Sequence, residues 1–109
     1  DPEAALAALE HARRLGPSVT GLLDLALAYH LTGDVGGEVS ACEHATHLEP
    51  ESAEAWARYA HALARTDRTS EALAAADRAL SLGAGDETAD LLDDLRAAAQ
   101  RVLPGAAAA

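Results

Sequence analysis

Apolar residues recur every three or four positions along most of the chain, which is the spacing of one face of an α-helix. Short segments rich in Gly, Pro, Ser, Thr and Asp separate these stretches, as expected for turns and helix caps. The pattern predicts helices over residues 1–16, 20–32, 38–49, 53–65, 70–82 and 86–103. Because β-branched and aromatic residues are scarce, an all-β fold is not expected.

The segments between the helices predict where each helix begins and ends. The predicted N-caps are Ser18 or Thr20, Ser52, Thr69 or Ser70, and Asp86. Gly-Pro pairs at 16–17 and 104–105 are predicted to end the first and last helices, and the two glycines at 36–37 to loosen the entry to the third. Pro50 cannot continue a helix, so it separates the third helix from the fourth.

The chain repeats itself with a period of 34 residues. That offset aligns Leu22 with Trp56, Leu25 with Tyr59, Ala26 with Ala60, Tyr29 with Leu63, Cys42 with Ala76, and Ala45 with Ala79. Periods of this length are typical of solenoids made from stacked helix pairs. The first helix matches the second helix of the unit at an offset of 33 residues, so we interpret it as the trailing half of a partial repeat.

These residues resemble the tetratricopeptide repeat family. Its first helix carries a large apolar residue, Leu, a small residue and an aromatic, and its second carries small residues before a Pro. The matching residues are Leu22, Leu25, Ala26, Tyr29, Cys42, Ala45 and Pro50 in one unit, and Trp56, Tyr59, Ala60, Leu63, Ala72, Ala76 and Ala79 in the next. Glu38 departs from the pattern, because the family prefers Ala there.

The resemblance implies an all-α, right-handed superhelix of antiparallel helix pairs in one domain over residues 1–103. Its expected parts are a trailing helix at 1–16, repeats at 19–52 and 53–86, a capping helix at 87–103 and a flexible tail at 104–109. The last helix keeps one apolar face and makes the other polar, as the end of a solenoid requires. Leu48, Trp56 and Ala60 are predicted to join the two repeats.

Composition narrows the classes of partner. The 109 residues include eight Arg, no Lys and one Cys, and the net charge is −10, which argues against nucleic acid and anionic membranes. We expect no membrane-spanning segment and a reducing, cytoplasmic setting. The absence of Met suggests a piece of a longer or processed protein, and the Ala and Arg bias suggests a high-GC, bacterial coding sequence.

Several side chains could carry chemistry, and each has a simpler interpretation. His44 and His47, behind Glu43, have a spacing that could hold a divalent metal, but no third ligand is evident, so we interpret them as exposed polar residues. Cys42 takes the place of Ala76 in the other repeat, which favours a small buried residue over a nucleophile. We predict no catalytic residues, no metal and no other cofactor.

By the resemblance, the first helices of the two repeats line a concave groove. Its predicted residues are Thr20, Leu23, Asp24, Leu27, His30 and Leu31 from the first repeat, and Glu54, Ala57, Arg58, His61, Ala64 and Arg65 from the second. Family members that grip a C-terminal carboxylate use Lys and Asn on this surface. Leu23 and Leu27 take such places here, which argues against a carboxylate clamp. Leu23, Leu27 and Leu31 form a leucine stripe along the second helix. This stripe either contacts a partner or is covered by a helix upstream of residue 1.

We therefore predict a non-catalytic protein-interaction module that binds a peptide or helix in this groove. Between Arg14 and Arg58 the chain has seven acidic residues and no Arg or Lys, which favours a basic partner. One alternative is a homodimer formed through the open N-terminal edge and the leucine stripe. Another is a small-molecule-binding or enzymatic domain that uses His30, His61 and Arg58.

Overall fold

The computed structural model describes residues 2–15 and 18–102, and these residues form six α-helices. The helices are α1 (Pro2–Leu15), α2 (Val19–Thr32), α3 (Val35–Leu48), α4 (Ala53–Ala64), α5 (Thr69–Ser81) and α6 (Asp86–Val102). The predicted all-α fold is therefore confirmed. The predicted breaks at 16–17 and 104–105 and the predicted tail at 104–109 lie outside the described residues.

The six helices form a single row in chain order. Each helix packs against the one before it and the one after it, and α4 also contacts α2 and α6. These three alternate helices therefore share one side of the row, while the molecule extends 54 × 27 × 20 Å. An elongated row in which helices contact only their near neighbours is a superhelical solenoid. The exact division into repeats at 19–52 and 53–86 stays a prediction.

Side-chain caps begin two of the helices where the sequence predicts them. The hydroxyl of Ser18 accepts a hydrogen bond from the backbone N–H of Gly21 at 3.0 Å, and that of Ser52 accepts one from the N–H of Ala55 at 3.2 Å. The prediction for α5 is wrong, because its N-cap position is Arg68 and no side chain caps it. Both Thr69 and Ser70 already lie within that helix, and Asp86, the predicted cap of α6, is likewise the first residue inside its helix.

The helix α3 begins three residues earlier than the glycine pair suggests. Asp34 caps it by accepting a hydrogen bond from the backbone N–H of Gly37 at 2.9 Å, so both glycines lie inside the first turn. A Cβ atom at Gly37 would lie 2.7 Å from the ring of Tyr29. This glycine therefore permits close packing of α2 on α3 and does not loosen the helix start.

Alanine fills many of the fully buried positions. Among the described side chains, the alanines with no exposed surface are Ala45, Ala55, Ala60, Ala62, Ala72, Ala76 and Ala79. Small residues at a contact allow helix axes to approach to the short end of the usual range, about 8 Å. Leu25, Leu63, Leu92 and Leu95 supply the larger buried side chains, and together with several of the alanines they form a core that runs from α2 to α6.

Two aromatic residues join α4 to the preceding turn and to α3. The indole N–H of Trp56 donates to the backbone carbonyl of Pro50 at 2.8 Å, and the hydroxyl of Tyr59 donates to Glu43 Oε2 at 3.0 Å. The two rings are 6.0 Å apart at 55°, a tilted aromatic pair. Leu48, in contrast, is 41% exposed, so the prediction that it joins the two repeats is wrong. It is the last residue of α3, where the chain turns away from the core.

Candidate functional site

Two adjoining cavities run along the side of the molecule that α2, α4 and α6 share. The first, of about 280 Å³, is lined by Ala26, Leu27, His30, Glu38, Cys42, Arg58, His61, Arg65 and Glu87. The second, of about 460 Å³, is lined by Ala53, Glu54, Ala57, Arg58, His61, Ala84, Gly85, Asp86, Glu87 and Thr88. We call the two together the groove, because Arg58, His61 and Glu87 line both.

The groove brings together most of the residues predicted for it on α4 and fewer of those predicted on α2. The predicted residues that line one or both cavities are Glu54, Ala57, Arg58, His61 and Arg65 from the second repeat, and Leu27 and His30 from the first. The predicted residues on α2 that line neither cavity are Thr20, Leu23, Asp24 and Leu31.

The predicted leucine stripe on α2 is interrupted. Leu23 is only 5% exposed and packs in a small core cluster with Leu22, Ala45 and Ala55. Leu27 and Leu31 are 45% and 66% exposed. Leu23 therefore belongs to the repeat core and not to an exposed stripe, because it packs against residues of the two following helices.

Among the groove residues that sequence reasoning missed, Glu38 is the buried acid. It lies in the first turn of α3 and is 6% exposed, although carboxylates are seldom buried unless they are paired. The guanidinium of Arg65, on the next helix pair, forms an ion pair with Glu38 Oε2. One signal in the sequence could have indicated this role. Glu38 stands at a repeat position where the other repeat has a small residue, Ala72.

The second oxygen of this carboxylate is left without a hydrogen bond. Glu38 Oε1 is buried and has no hydrogen-bond partner among the residues that the structure describes. His30 Nδ1 lies 3.5 Å from it, close enough for electrostatic attraction but outside good hydrogen-bond geometry. One buried acceptor therefore faces a half-exposed imidazole at the groove wall.

Two solved structures share this helix arrangement. The Sgt2 TPR domain from Aspergillus fumigatus superposes with a TM-score of 0.89 over 96% of this chain and 72% of that one, at 21% identity. This chain has the tetratricopeptide repeat fold. The first TPR of Spaghetti (RPAP3), solved bound to the HSP90 peptide SRMEEVD, gives a TM-score of 0.83 over 89% of this chain and 79% of that one, at 20% identity. No protein-family model matches the chain, and no curated protein matches it in sequence.

Within this tetratricopeptide repeat fold, burial controls the protonation of the two most reactive groove side chains. Burial, helped by the positive charge of Arg65, lowers the pKa of His61, so its imidazole is neutral at pH 7. Burial, together with the charge of Glu38, raises the pKa of Cys42 to about 12. The thiol is 1% exposed and protonated, in agreement with the prediction of a small buried residue.

The histidine pair on α3 lies away from the groove of the repeat fold. His44 and His47 are both exposed, and the neighbouring Glu43 accepts a hydrogen bond from Tyr59. Among the described residues, no group of three His, Cys, Asp or Glu side chains is placed to hold a metal ion. Within the same part of the chain, none of the helices combines the length and apolarity needed to cross a membrane.

Proposed function

We propose that the chain is a non-catalytic protein-interaction module whose groove binds a peptide or helix of a partner. The observation that carries this proposal is the pair of adjoining cavities along α2, α4 and the start of α6, which share Arg58, His61 and Glu87. A structure of the same fold holds a peptide, that of Spaghetti (RPAP3) with its HSP90 segment, which supports a similar use of the fold here.

The chemistry of the groove supports binding in preference to catalysis. Its thiol is buried and protonated, so it is a poor nucleophile. Its two arginines are already engaged, Arg65 with Glu38 and Arg58 with Glu54 at 3.7 Å. These pairs give the groove alternating positive and negative charges, which suit recognition of a charged partner. A free, protonated cysteine also fits a reducing, cytoplasmic setting, which we include in the proposal.

Selection of peptides from a displayed random library against the immobilised chain tests this function. Selected peptides should bind the double variant Arg58→Ala/His61→Ala at least about tenfold more weakly in fluorescence anisotropy, the effect of losing one or two charged or buried polar contacts. The matched control is Arg78→Ala/His47→Ala, which removes the same residue types from exposed positions that line neither groove cavity. Equal loss in both variants, or in neither, would reject the groove as the binding site.

Self-association is the second candidate, and the exposed side chains of Leu27 and Leu31 favour it. Both lie on α2, and large exposed leucines that lie close together often mark an interface. A homodimer through this face should appear in light scattering over a dilution series, and Leu27→Glu should convert it to a monomer. A chain that is monomeric at high concentration, with or without this substitution, would remove the candidate.

A further inference from the structure

The groove contains a buried hydrogen-bond acceptor that the described part of the chain leaves unpaired. Glu38 is only 6% exposed, and its Oε1 atom has no hydrogen-bond partner among the described residues. Leaving a buried carboxylate oxygen unpaired is costly, so native proteins rarely do so without a water, an ion or a ligand to supply the donor. Because Glu38 also lines the 280 Å³ cavity, a ligand that enters this part of the groove would bring a donor to it.

The charges of the groove favour a cationic donor. Arg58 and Arg65 are each paired with an acid of the groove, Glu54 and Glu38. Asp86 and Glu87 at the start of α6 have no ion-pair partner among the residues that the structure describes, and the helix dipole offsets only part of their charge. The whole chain carries a net charge of −10, so a basic partner is attracted over a longer range as well.

The geometry of the Glu38–Arg65 ion pair favours lysine over arginine as the cationic donor. Arginine gains its advantage by contacting both oxygens of a carboxylate, but Arg65 already occupies Oε2 of Glu38. Lysine donates from a compact ammonium at the end of an aliphatic stem and needs only one acceptor. The apolar lining formed by Ala26, Leu27 and Cys42 suits such a stem.

We propose that the groove binds a lysine side chain of its partner, whose ammonium donates to Glu38 Oε1 once the His30 imidazole has rotated away from that atom. His30 is half exposed and makes no hydrogen bond to Glu38, so its rotation breaks no strong contact there. The 109 residues contain no Lys, so a second copy of them cannot supply the lysine. This inference rests on the proposed function of the groove and specifies the chemistry that it recognises.

Four capped pentapeptides provide the test, each with one central residue flanked by alanines. The central residue is lysine, arginine, norleucine or glutamate, and binding to the isotope-labelled chain is followed by amide chemical shifts up to millimolar concentrations. The lysine peptide should shift the amides of Leu27, Glu38 and Cys42, and should bind more tightly than the other three. Equal binding of norleucine, or tighter binding of arginine or glutamate, would overturn the proposal.

Variants of the chain then locate the contact. Glu38→Gln should weaken binding of the lysine peptide about tenfold, the effect of losing one charge-assisted hydrogen bond. The matched control is Glu71→Gln, which also breaks a Glu–Arg pair but lies on the exposed side of α5, beside Arg68. Unchanged affinity in a folded Glu38→Gln chain, or equal weakening by Glu71→Gln, would overturn the assignment.

His30→Ala keeps the proposal testable even if Glu38→Gln does not fold. Removing the imidazole that lies 3.5 Å from Oε1 should tighten binding of the lysine peptide severalfold, and weaker or unchanged binding would contradict the proposal. If glutamate or norleucine peptides shift the groove amides and lysine does not, the groove function stands and the lysine inference fails. If no peptide shifts them, the lysine inference also fails, while the displayed-library selection judges the groove function independently.

Discussion

The ion pair of Glu38 with Arg65 connects two successive helix pairs through side chains of unequal burial. The carboxylate is 8% exposed and the guanidinium is 38% exposed, so the acid depends on the base far more than the reverse. Removing the base leaves a buried carboxylate without its counter-charge, which is the costly way to break such a pair. This asymmetry explains how an acid is tolerated at a position where the repeat pattern has a small residue.

The substitution Arg65→Ala should therefore lower the free energy of unfolding by about 2 kcal/mol, less than a fully buried pair would lose because water reaches the guanidinium. Urea titration followed by circular dichroism measures it. The control is Arg68→Ala, whose pair with Glu71 is exposed at both ends and should leave the midpoint unchanged. A loss no larger in the first variant than in the control would show that burial of Glu38 does not need its partner.

The buried thiol of Cys42 should make stability fall at high pH. Its pKa is about 12 in the folded chain and 9.0 when solvent-exposed, so the unfolded state releases its proton first. The contribution is fully present below pH 9.0 and is lost as pH rises toward 12. Urea unfolding between these limits should show a steeper decline for the wild type than for Cys42→Ala. Burial also raises the pKa of Tyr59 to about 12, but this affects both proteins equally. Parallel declines would contradict the prediction.

At the scale of single helices, the two adjacent glycines of α3 have opposite roles. Gly36 has open space around it, since a Cβ atom there would meet only an Asp34 oxygen at 3.8 Å, whereas at Gly37 the Tyr29 ring would be 2.7 Å away. Alanine is the better helix former by about 1 kcal/mol. At Gly37 this gain is opposed by overpacking, which costs about 1–3 kcal/mol.

We therefore expect Gly36→Ala to stabilise the chain by up to about 1 kcal/mol, and Gly37→Ala to destabilise it by about 1 kcal/mol once overpacking is included. Thermal and urea unfolding of the two variants measure the difference, and each serves as the control for the other. If both substitutions stabilise the chain, the contact between Tyr29 and α3 is looser than the structure shows.

Helix existence and most helix ends could be predicted from local signals alone. Ser18 and Ser52 begin helices because their hydroxyls satisfy N–H groups within the same turn. Asp34 begins α3 by the same local mechanism. This signal was missed because the two glycines were interpreted as loosening the helix start, whereas Gly37 packs against the ring of Tyr29 on another helix. The exposure of Leu48 was also missed, because helical spacing places it on the apolar face of α3 but does not show that the last residue of this helix is exposed.

At the scale of the whole molecule, the resemblance to tetratricopeptide repeats predicted much of the candidate site, and charge pairing completed it. The resemblance implied that Arg58, His61 and Arg65 face a concave groove, and all three line the first cavity. Glu38 could not be assigned to the groove in advance, because its burial is tolerated only through Arg65, which is 27 residues away and on the next helix pair. A contact of this kind depends on how the pairs stack, which a one-dimensional pattern does not contain.

The same stacking predicts how the molecule loses structure. Leu92 on α6 is 5% exposed and packs in the shared core, and Leu92→Ala should cost about 2–4 kcal/mol. In a solenoid, stability is a sum of local and nearest-neighbour contributions, so the loss should concentrate at the damaged end.

Hydrogen exchange followed by mass spectrometry should therefore show faster exchange in α5 and α6 of Leu92→Ala, with little change in α2. The control is Leu31→Ala, because Leu31 is 66% exposed and its truncation creates no core cavity. Uniform acceleration in α2 through α6 would instead mean that the chain unfolds as one cooperative unit. In that case Leu92→Ala would increase opening at Leu27 as much as at Glu87. Both cavities of the groove would then be lost in the same unfolding step.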